Sequence, residues 1–455
     1  MQERGKPLPM ETLPRDELEK LQNRRIRATV RAAYETTKFY RELFNSLKID
    51  PNSIRSREDL ERSFEKGLVL TPELLISRYG DLIPSYFTTS QIPYLEVQTS
   101  GFIGPPKKIR WTIPPILSNE VLTLTFNACR LIEGDKVLLA LAPYPYSSGI
   151  LTTLGLKSYI HKIEFYPEWN VENRKPLTKD EIINKISSFG FTYIGTSPTT
   201  ALEIADEMIR IGLEPSKTNV RKIMVGGEAS ERERKDKISN LWNAEVFDVL
   251  GTTEAGLFGY ECDRHDGMHI AESRILYSIV NPEKLEVLEE GEEGNPLITT
   301  LYEVDENPGM FLINYCFSGD ATKIVDKKGE CECGRRLIRI DYPKRVDEMA
   351  NIRGVKLYGR APEKASSVKD YLPIEWYSKS RGLRRLEIRV VPEEGYTKEH
   401  VINDVWKALL SSNPHAYILL KEGDVTINVV TPEKLYEGLE IPRGKRKRLI
   451  RKTED

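Results

Sequence analysis

The spacing of apolar and polar residues divides the chain into segments that alternate between strand and helix. Residues 15–47 carry apolar side chains at spacings of mostly three to five, which predicts one long helix. Short apolar runs then predict strands at residues 92–99, 107–112, 136–142, 192–195, 222–225 and 245–250. Helical patterns separate them at residues 119–130, 178–188, 199–211 and 231–242. This alternation predicts α/β layers with largely parallel sheets.

The pattern changes after residue 260 and again after residue 346. Short strands and turns follow residue 260 and predict a β subdomain. A strand, helix, strand order at 386–391, 400–410 and 425–430 predicts a small α+β domain. Because 455 residues exceed what one hydrophobic core commonly supports, two domains are expected. We predict a large N-terminal domain of layered β-sheets and helices with a β subdomain over 1–346, and a small α+β domain over 347–455.

Composition and charge narrow the class of protein. Apolar residues make up 39% and charged residues 30%, as in globular proteins. The formal net charge of −2 provides no overall field that attracts nucleic acid or an anionic membrane. The polar N-terminus lacks the apolar core of a signal peptide, which favours a cytoplasmic protein. A basic run at 443–452 leaves nucleic-acid binding as an alternative, which steep salt dependence would reveal.

Two pairs of closely spaced cysteine and histidine residues are the clearest chemical signal. His265 follows Cys262 by three positions, and Cys333 follows Cys331 by two. Three thiolates and one imidazole are a ligand set of tetrahedral, structural Zn²⁺, and the close spacing lets each pair reach the same ion. His269 is expected to pack in the core or to support a ligand. The alternative is two unrelated loops with reduced thiols.

A turn rich in serine and glycine lies between two predicted strands. It contains Thr99, Ser100, Gly101 and Gly104. Small residues let backbone N–H groups approach an anion, so the turn suits phosphate oxygens. Because it lacks the Gly-Lys-Ser/Thr of a Walker A loop, a different nucleotide-binding fold is implied. An ordinary tight hairpin would have a similar composition.

Three further segments carry groups that suit a nucleotide. The strand at 245–250 leads into a polar turn, Leu250-Gly251-Thr252-Thr253-Glu254. A hydroxyl and a carboxylate there could meet a phosphate and Mg²⁺. Asp320 could accept hydrogen bonds from two ribose hydroxyls, and Lys445 could place a positive charge on a phosphate transition state. The alternatives are a plain strand end, an aspartate in a turn and a solvated basic tail.

In this order along the chain, these segments resemble the adenylate-forming superfamily, and in particular its phenylacetate–coenzyme A ligase branch. The resemblance covers nearly the whole chain. It adds the turn Gly226-Gly227-Glu228, which borders adenine and acyl group in the family, and the hinge Arg345-Val346-Asp347. Gly444-Lys445 resembles the terminal motif that carries the catalytic lysine. The cysteine and histidine pairs fall where many members of this branch bind zinc.

The resemblance implies an ATP-dependent ligase with two steps. A carboxylate attacks the α-phosphate of MgATP and releases pyrophosphate, and the thiol of coenzyme A then displaces AMP. The implied ligands of the β and γ phosphates are Thr99 and Ser100. Thr253 would hold the α-phosphate, Glu254 Mg²⁺ and Asp320 the ribose, and Arg345 would support either the ribose or the hinge. Lys445 would bridge the attacking carboxylate and the α-phosphate.

The resemblance also implies a moving C-terminal domain and an acid pocket. The small domain would swing about Asp347 between the two steps. The pocket would be lined by Tyr144, Tyr146 and Gly149, and aromatic walls suit an aryl or small apolar acid. A homodimer is expected from the resemblance alone.

Other functions stay open at the level of sequence. Residues 358–362 depart from the family pattern on the coenzyme A side, which leaves an amide ligase or a nucleotidyltransferase, such as the archaeal enzymes that adenylylate a deazaflavin, as alternatives. Phe102, Ile103 and Leu250 replace residues that contact the nucleotide in the family, so a degenerate, non-catalytic homologue is a further alternative. The retention of Glu254 and Lys445 argues for an enzyme.

Overall fold

The computed structural model describes two compact units, which divide between Pro343 and Lys344. The described residues are 5–71, 74, 94–98, 108–112, 120–132, 134–140, 169–170, 175–176, 179–228, 230, 232–303, 306, 311–317, 319–345, 349–352, 355–378, 383–412, 416–417, 419, 423–439 and 449–454. The functional boundary between residues 346 and 347 stays a prediction.

The α-helices of the described residues fall mostly where the sequence predicts them. They are α1 (Arg15–Thr36), α2 (Lys38–Ser46), α3 (Arg57–Glu65), α4 (Glu120–Ala128), α5 (Lys179–Phe189), α6 (Pro198–Arg210), α7 (Arg232–Trp242) and α8 (Lys398–Ser412). None of them combines the length and the apolar character that a membrane crossing requires.

The prediction of one long helix over 15–47 is wrong, because the chain breaks at Thr37. The backbone of Thr37 is extended, with φ −118° and ψ 135°. Its side-chain oxygen accepts a hydrogen bond from the backbone N–H of Tyr40 and so caps the N-terminus of α2. Because the chain breaks at Thr37, α2 can take its own direction, and it buries Phe39, Tyr40 and Phe44.

The β-strands belong to several sheets. They are β1 (Tyr94–Gln98), β2 (Lys108–Thr112), β3 (Val137–Ala140), β4 (Trp169–Asn170), β5 (Lys175–Pro176), β6 (Tyr193–Thr196), β7 (Lys222–Gly226), β8 (Glu245–Thr252), β9 (Gly256–Tyr260), β10 (Met268–Ile270), β11 (Ile275–Asn281), β12 (Glu286–Val287), β13 (Asn295–Thr300), β14 (Tyr315–Cys316), β15 (Asp320–Ala321), β16 (Ile324–Asp326), β17 (Arg339–Ile340), β18 (Lys344–Arg345), β19 (Met349–Ile352), β20 (Val355–Tyr358), β21 (Val368–Ser378), β22 (Leu383–Pro392), β23 (Val425–Val429) and β24 (Ile450–Glu454).

The largest sheet of the first unit has the order β16-β17-β10-β9-β8-β7-β6-β3. The neighbours β3, β6, β7 and β8 are parallel, whereas β8, β9, β10, β17 and β16 follow in antiparallel order. Strands β3 and β6 are buried at every position. They are covered because helices α5, α6 and α7 pack apolar side chains against the sheet. The predicted α/β fold is confirmed, but the prediction of largely parallel sheets is wrong, because among the described residues of this unit the parallel strand pairs are confined to β3, β6, β7 and β8.

A second sheet of the first unit is fully antiparallel, with the order β12-β11-β13-β14. Its apolar side chains share a core with α1 and α2. The hydroxyl of Tyr40 joins α2 to the segment before β14. It donates to the carbonyl of Phe311 at 2.7 Å and accepts from the N–H of Ile313 at 3.1 Å. This sheet corresponds to the β subdomain that the sequence predicts after residue 260.

The second unit is a small α+β structure. Strands β21 and β22 form a long antiparallel pair, and β24 and β23 add to its two sides in parallel. Helix α8 packs against the sheet through Val401, Val405 and Leu409. The unit therefore has a hydrophobic core of its own, as the sequence pattern predicts.

Candidate functional site

Two polar turns meet at the carboxyl edge of the parallel strands. Strand β7 ends at Gly226 and continues into Gly227 and Glu228, while the neighbouring β8 ends at Thr252 and continues into Thr253. Ligands of open α/β sheets bind outside the carboxyl ends of the strands, so the two turns mark the candidate site. The structure thus brings together two segments that are separated by at least 24 positions in the sequence.

Glycine is required at this edge because the backbones approach closely. A Cβ atom at Gly226 would lie 2.9 Å from the carbonyl oxygen of Val249 in β8, and one at Gly251 would lie 2.7 Å from the carbonyl oxygen of Gly256. Gly227 has φ +76°, a conformation that side-chain-bearing residues rarely adopt. A larger residue at Gly226 would therefore push β7 and β8 apart, and one at Gly251 would push β8 and β9 apart.

The turn after β8 presents the hydroxyl and carboxylate that the sequence singles out. The side-chain oxygen of Thr252 accepts a hydrogen bond from the N–H of Ala255 at 3.1 Å, which orders the turn. Tyr315 in β14 donates from its hydroxyl to Glu254 at 3.4 Å. Leu250 packs against the apolar core shared with the second sheet. Sequence reasoning missed Tyr315, because nothing in the linear order indicates that β14 reaches this turn.

Asp320 begins β15, after a short turn. Its N–H donates to the carbonyl of Phe317 at 3.1 Å, and the side-chain amide of Asn295 donates to the carbonyl of Asp320 at 2.7 Å. Asp320 is partly exposed. The backbone at this candidate ribose ligand is therefore fixed by β13, through Asn295.

Several predicted site residues fall outside the described residues. They are Thr99, Ser100, Gly101, Gly104, Tyr144, Tyr146, Gly149, Asp347 and Lys445. The backbone of Arg345 lies in β18. Their roles in phosphate binding, acid binding, hinge motion and catalysis stay predictions.

A second site in the first unit gathers metal-ligating side chains. The ligand atoms of Cys262, His269, Cys331 and Cys333 all lie within 4.8 Å of one another. The Sγ atoms of Cys262 and Cys331 are 3.9 Å apart, and Sγ of Cys333 is 3.4 Å from Nε2 of His269. Tetrahedral Zn²⁺ with ordinary bond lengths would hold two sulfurs about 3.8 Å apart and a sulfur and a nitrogen about 3.6 Å apart. The four residues therefore fit a structural zinc ion.

The imidazole that lies among the three thiols is that of His269, whereas the sequence predicts His265 in that position. His269 lies in β10, where the sheet pairs it with Tyr260 on one side and Arg339 on the other. These pairings carry its ring to the loop that holds Cys333. The spacing between Cys262 and His265 is typical of a pair of metal ligands. Spacing alone, however, does not show which histidine ring lies close to the thiols in the folded sheet.

The ring of His265 instead faces two carboxylates. Nε2 lies 3.4 Å from Glu245 and Nδ1 lies 3.5 Å from Glu261. Hydrogen bonds with Glu245 and Glu261 raise the pKa of His265 to about 9. The ring also packs on Phe247, with 5.1 Å between the centroids. His265 is therefore a cationic partner of acidic residues near the metal site.

Hydrogen bonds within the cluster shift the pKa values of Cys262 and Cys333 in opposite directions, upward for Cys262 and downward for Cys333. Hydrogen bonds with Cys262 and Cys331 lower the pKa of Cys333 well below its ordinary value, which favours the thiolate that a metal needs. Burial would lower the pKa of His269, but hydrogen bonds with Cys331 and Cys333 raise it to about 9. A cation at the centre of the four ligands would replace these hydrogen bonds.

A buried ion pair lies directly beside the metal ligands. Arg335 and Glu11 are both 0% exposed, and Nε of Arg335 donates to Glu11 at 2.5 Å. The same carboxylate accepts from the hydroxyl of Tyr260 and from the N–H of Leu8, each at 2.7 Å. The N-terminal segment is thus fastened to the two chain segments that carry Cys262 and Cys333.

Comparison with known proteins gives consistent matches. No protein-family model matches the chain. The chain is 27% identical to a phenylacetate–coenzyme A ligase of Thermus thermophilus over 360 residues, 77% of this chain and 75% of the relative. It is 26% identical to a phenylacetate–coenzyme A ligase of Escherichia coli over 359 residues, 77% of this chain and 76% of the relative.

Among solved structures, the fold is similar to that of 2-hydroxyisobutyryl-CoA ligase. A crystal structure of that ligase in the postadenylation state, with R3-HIB-AMP, has a TM-score of 0.77 at 18% identity and covers 97% of this chain and 91% of its own. A complex of the same ligase with 2-HIB-AMP and CoA has a TM-score of 0.66 at 19% identity and covers 100% and 94%.

The two-unit α/β fold, with polar turns at the carboxyl edge of its parallel strands, is thus similar to the fold of a solved CoA ligase. Together with the matches in sequence, the fold supports the resemblance of the chain to the adenylate-forming superfamily, in its phenylacetate–coenzyme A ligase-like branch.

Proposed function

We propose that the protein is an ATP-dependent, AMP-forming ligase that activates a carboxylic acid as an acyl adenylate and transfers the acyl group to coenzyme A. The observation that carries this proposal is the meeting of the Gly226-Gly227-Glu228 turn and the Gly251–Glu254 turn on neighbouring strands. The sequence similarity to phenylacetate–coenzyme A ligases supports the same reaction.

In the proposed first step, a carboxylate oxygen of the acid attacks the α-phosphorus of ATP, and pyrophosphate leaves. Thr253 binds the α-phosphate, and Glu254 would hold Mg²⁺, which when bound would supply positive charge beside the phosphates. The phosphate turn with Thr99 and Ser100 positions the leaving pyrophosphate. Lys445 contacts the attacking carboxylate and the α-phosphate and stabilises the charge that develops between them.

In the proposed second step, the thiol sulfur of coenzyme A attacks the acyl carbon and AMP leaves. The C-terminal domain from residue 347 onward moves about Asp347 between the steps, and Asp320 with Arg345 keeps the ribose in place. We propose an aryl or small carboxylic acid as substrate, in a pocket lined by Tyr144, Tyr146 and Gly149. We propose that the reaction takes place in the cytoplasm, where ATP and coenzyme A are available.

The proposed zinc ion has a structural role. Four protein ligands fill a tetrahedral zinc site and leave no position open for water or substrate. His269, Cys262, Cys331 and Cys333 would hold the ion and join β10 to the loops after β9 and before β17. The metal would therefore stabilise the edge of the large sheet.

The test is release of pyrophosphate from MgATP with a panel of aryl and short-chain acids, with and without coenzyme A. We expect acid-dependent release that coenzyme A accelerates and that Lys445→Ala reduces by about 100-fold or more, as for loss of a major electrostatic contact in a transition state. Lys447→Ala, two positions along the same basic run, is the matched control.

Each outcome of this test separates one class of function from the others. Acid-dependent release without any effect of coenzyme A would favour an amide ligase or a nucleotidyltransferase. ATP binding without release by any acid would contradict the ligase and favour a non-catalytic nucleotide-binding homologue.

A further inference from the structure

A buried polar cluster lies directly behind the Gly226-Gly227-Glu228 turn. Arg234 donates to the side-chain oxygen of Thr199 at 2.5 Å and to Glu228 at 3.2 Å, and the hydroxyl of Thr199 donates to the same oxygen of Glu228 at 2.6 Å. The side chain of Arg234 is 3% exposed and that of Glu228 is 9% exposed. Each of the three side chains thus contacts the other two, and the ion pair of Arg234 and Glu228 is largely shielded from water.

The three residues come from separate segments of the carboxyl edge. Thr199 lies in the first turn of α6, directly after β6, and Glu228 lies in the turn after β7. Arg234 lies in the first turn of α7, which leads to β8. The cluster therefore fixes the turn after β7 against the starts of two helices, on the edge where a ligand of this sheet binds.

The hydrogen bonds among Thr199, Glu228 and Arg234 restrict the orientation of each side chain. A threonine hydroxyl has one hydrogen to donate, and here it donates to Glu228 while its oxygen accepts from the guanidinium. Hydrogen bonds to charged groups are shorter and stronger than neutral ones. Because a buried ion pair that loses one partner leaves an uncompensated charge, removal of Arg234 would displace Glu228 and the glycines before it.

We propose that Thr199 and Arg234 are positioning residues of the nucleotide site, which act through Glu228 to hold the Gly226-Gly227 backbone in its binding conformation. Glu228 then serves as an internal anchor, and its carboxylate is not a ligand of ATP. This inference rests on the proposed function, because it assumes that a nucleotide binds at this turn.

The test compares Thr199→Val and Arg234→Ala with two matched controls. Thr199→Ser keeps the hydroxyl, and Arg232→Ala removes an exposed arginine two positions earlier in the same helix. Affinity for ATP is measured by calorimetry without acid. Backbone amide exchange of the peptide at 223–230 is followed by mass spectrometry, and the steady-state KM for ATP and kcat are determined with an acid substrate.

We expect Thr199→Val and Arg234→Ala each to weaken ATP binding about tenfold, the effect of losing one hydrogen bond to a charged group. The KM for ATP should rise more than kcat falls, and amides at 226–228 should exchange about tenfold faster, because local opening becomes easier by the same free energy. Both controls should match the wild type. The Thr199→Val, Arg234→Ala double variant should bind ATP no more weakly than Arg234→Ala, since both changes release the same anchor.

Two results would overturn the inference. One is faster exchange at 226–228 with ATP affinity unchanged. The other is weaker ATP binding in Glu228→Gln but not in Thr199→Val, which would make Glu228 a direct ligand. If Arg234→Ala does not fold, the Thr199→Val and Thr199→Ser pair decides alone. ATP binding that follows the expected pattern, without acid-dependent pyrophosphate release, would contradict only the ligase, whereas a wild type that binds no ATP would contradict both proposals.

Discussion

The buried pair of Arg335 and Glu11 makes a strong prediction about stability. Replacement of Arg335 by Met removes the guanidinium but keeps much of its volume. The Glu11 carboxylate, 0% exposed, then loses its cation, while Tyr260 and the N–H of Leu8 still donate to it. The expected loss is therefore set by one uncompensated buried charge.

Loss of one partner of a buried ion pair destabilises a protein by about 3–5 kcal/mol. Because two hydrogen bonds continue to stabilise the carboxylate, we expect Arg335→Met to lower the free energy of unfolding of the first unit by about 3 kcal/mol, the lower end of that range. The Arg335→Met, Glu11→Gln double variant should recover about 2 kcal/mol of this loss, because no buried charge then remains.

The measurement is urea unfolding at a fixed concentration of free zinc, with limited proteolysis and mass spectrometry to follow the first unit separately from the second. Arg336→Met, an exposed arginine at the next position, is the control, and we expect it to stay within about 0.5 kcal/mol of the wild type. The reasoning is refuted if Arg335→Met behaves like this control, or if the double variant is no more stable than Arg335→Met.

Three further predictions concern the metal site, the candidate Mg²⁺ ligand and pH. His269→Ala should weaken zinc binding by more than about 100-fold whereas His265→Ala should retain the ion, as measured by metal analysis after dialysis against a chelator; equal retention would contradict the assignment. Tyr315→Phe should raise the Mg²⁺ concentration required for half-maximal pyrophosphate release about fivefold, because Glu254 loses a hydrogen bond, and an unchanged Mg²⁺ titration would remove Tyr315 from the site. Since two carboxylates raise the pKa of His265 to about 9, its stabilising effect is full below pH 6.5 and is lost as the pH rises through about 9. With the ring 34% exposed we expect about 1 kcal/mol, visible as a smaller loss of stability between pH 6.5 and 9 in His265→Gln, and an identical pH profile would refute it.

Much of the fold could be predicted because hydrophobic periodicity reflects burial directly. Strands β6, β7 and β8 and helices α5, α6 and α7 lie within one or two residues of the predicted ranges. The break at Thr37 escaped prediction, because the apolar spacing continues across it and the cap that ends one helix and starts the next is a local hydrogen bond.

Residues of the candidate site could be predicted only where the residues that act together are close to one another in the sequence. Cysteine pairs, glycine turns and the Thr253-Glu254 step are local patterns. The structure places the thiols of Cys262, Cys331 and Cys333 close together, and it places the turns after β7 and β8 on neighbouring strands. Tyr315 and Arg234 carry no such pattern, because each reaches its partner through strand pairing or helix packing.

The sequence by itself determined that this chain has an α/β fold with a small second unit, and it indicated three thiols that lie close together. Only the tertiary structure decided that His269 and not His265 completes the metal site, and that Arg234 and Thr199 hold Glu228. The physical reason is the same in both cases. Spacing along the chain fixes which side chains are near one another locally, whereas the pairing of strands and the packing of helices decide which distant side chains meet.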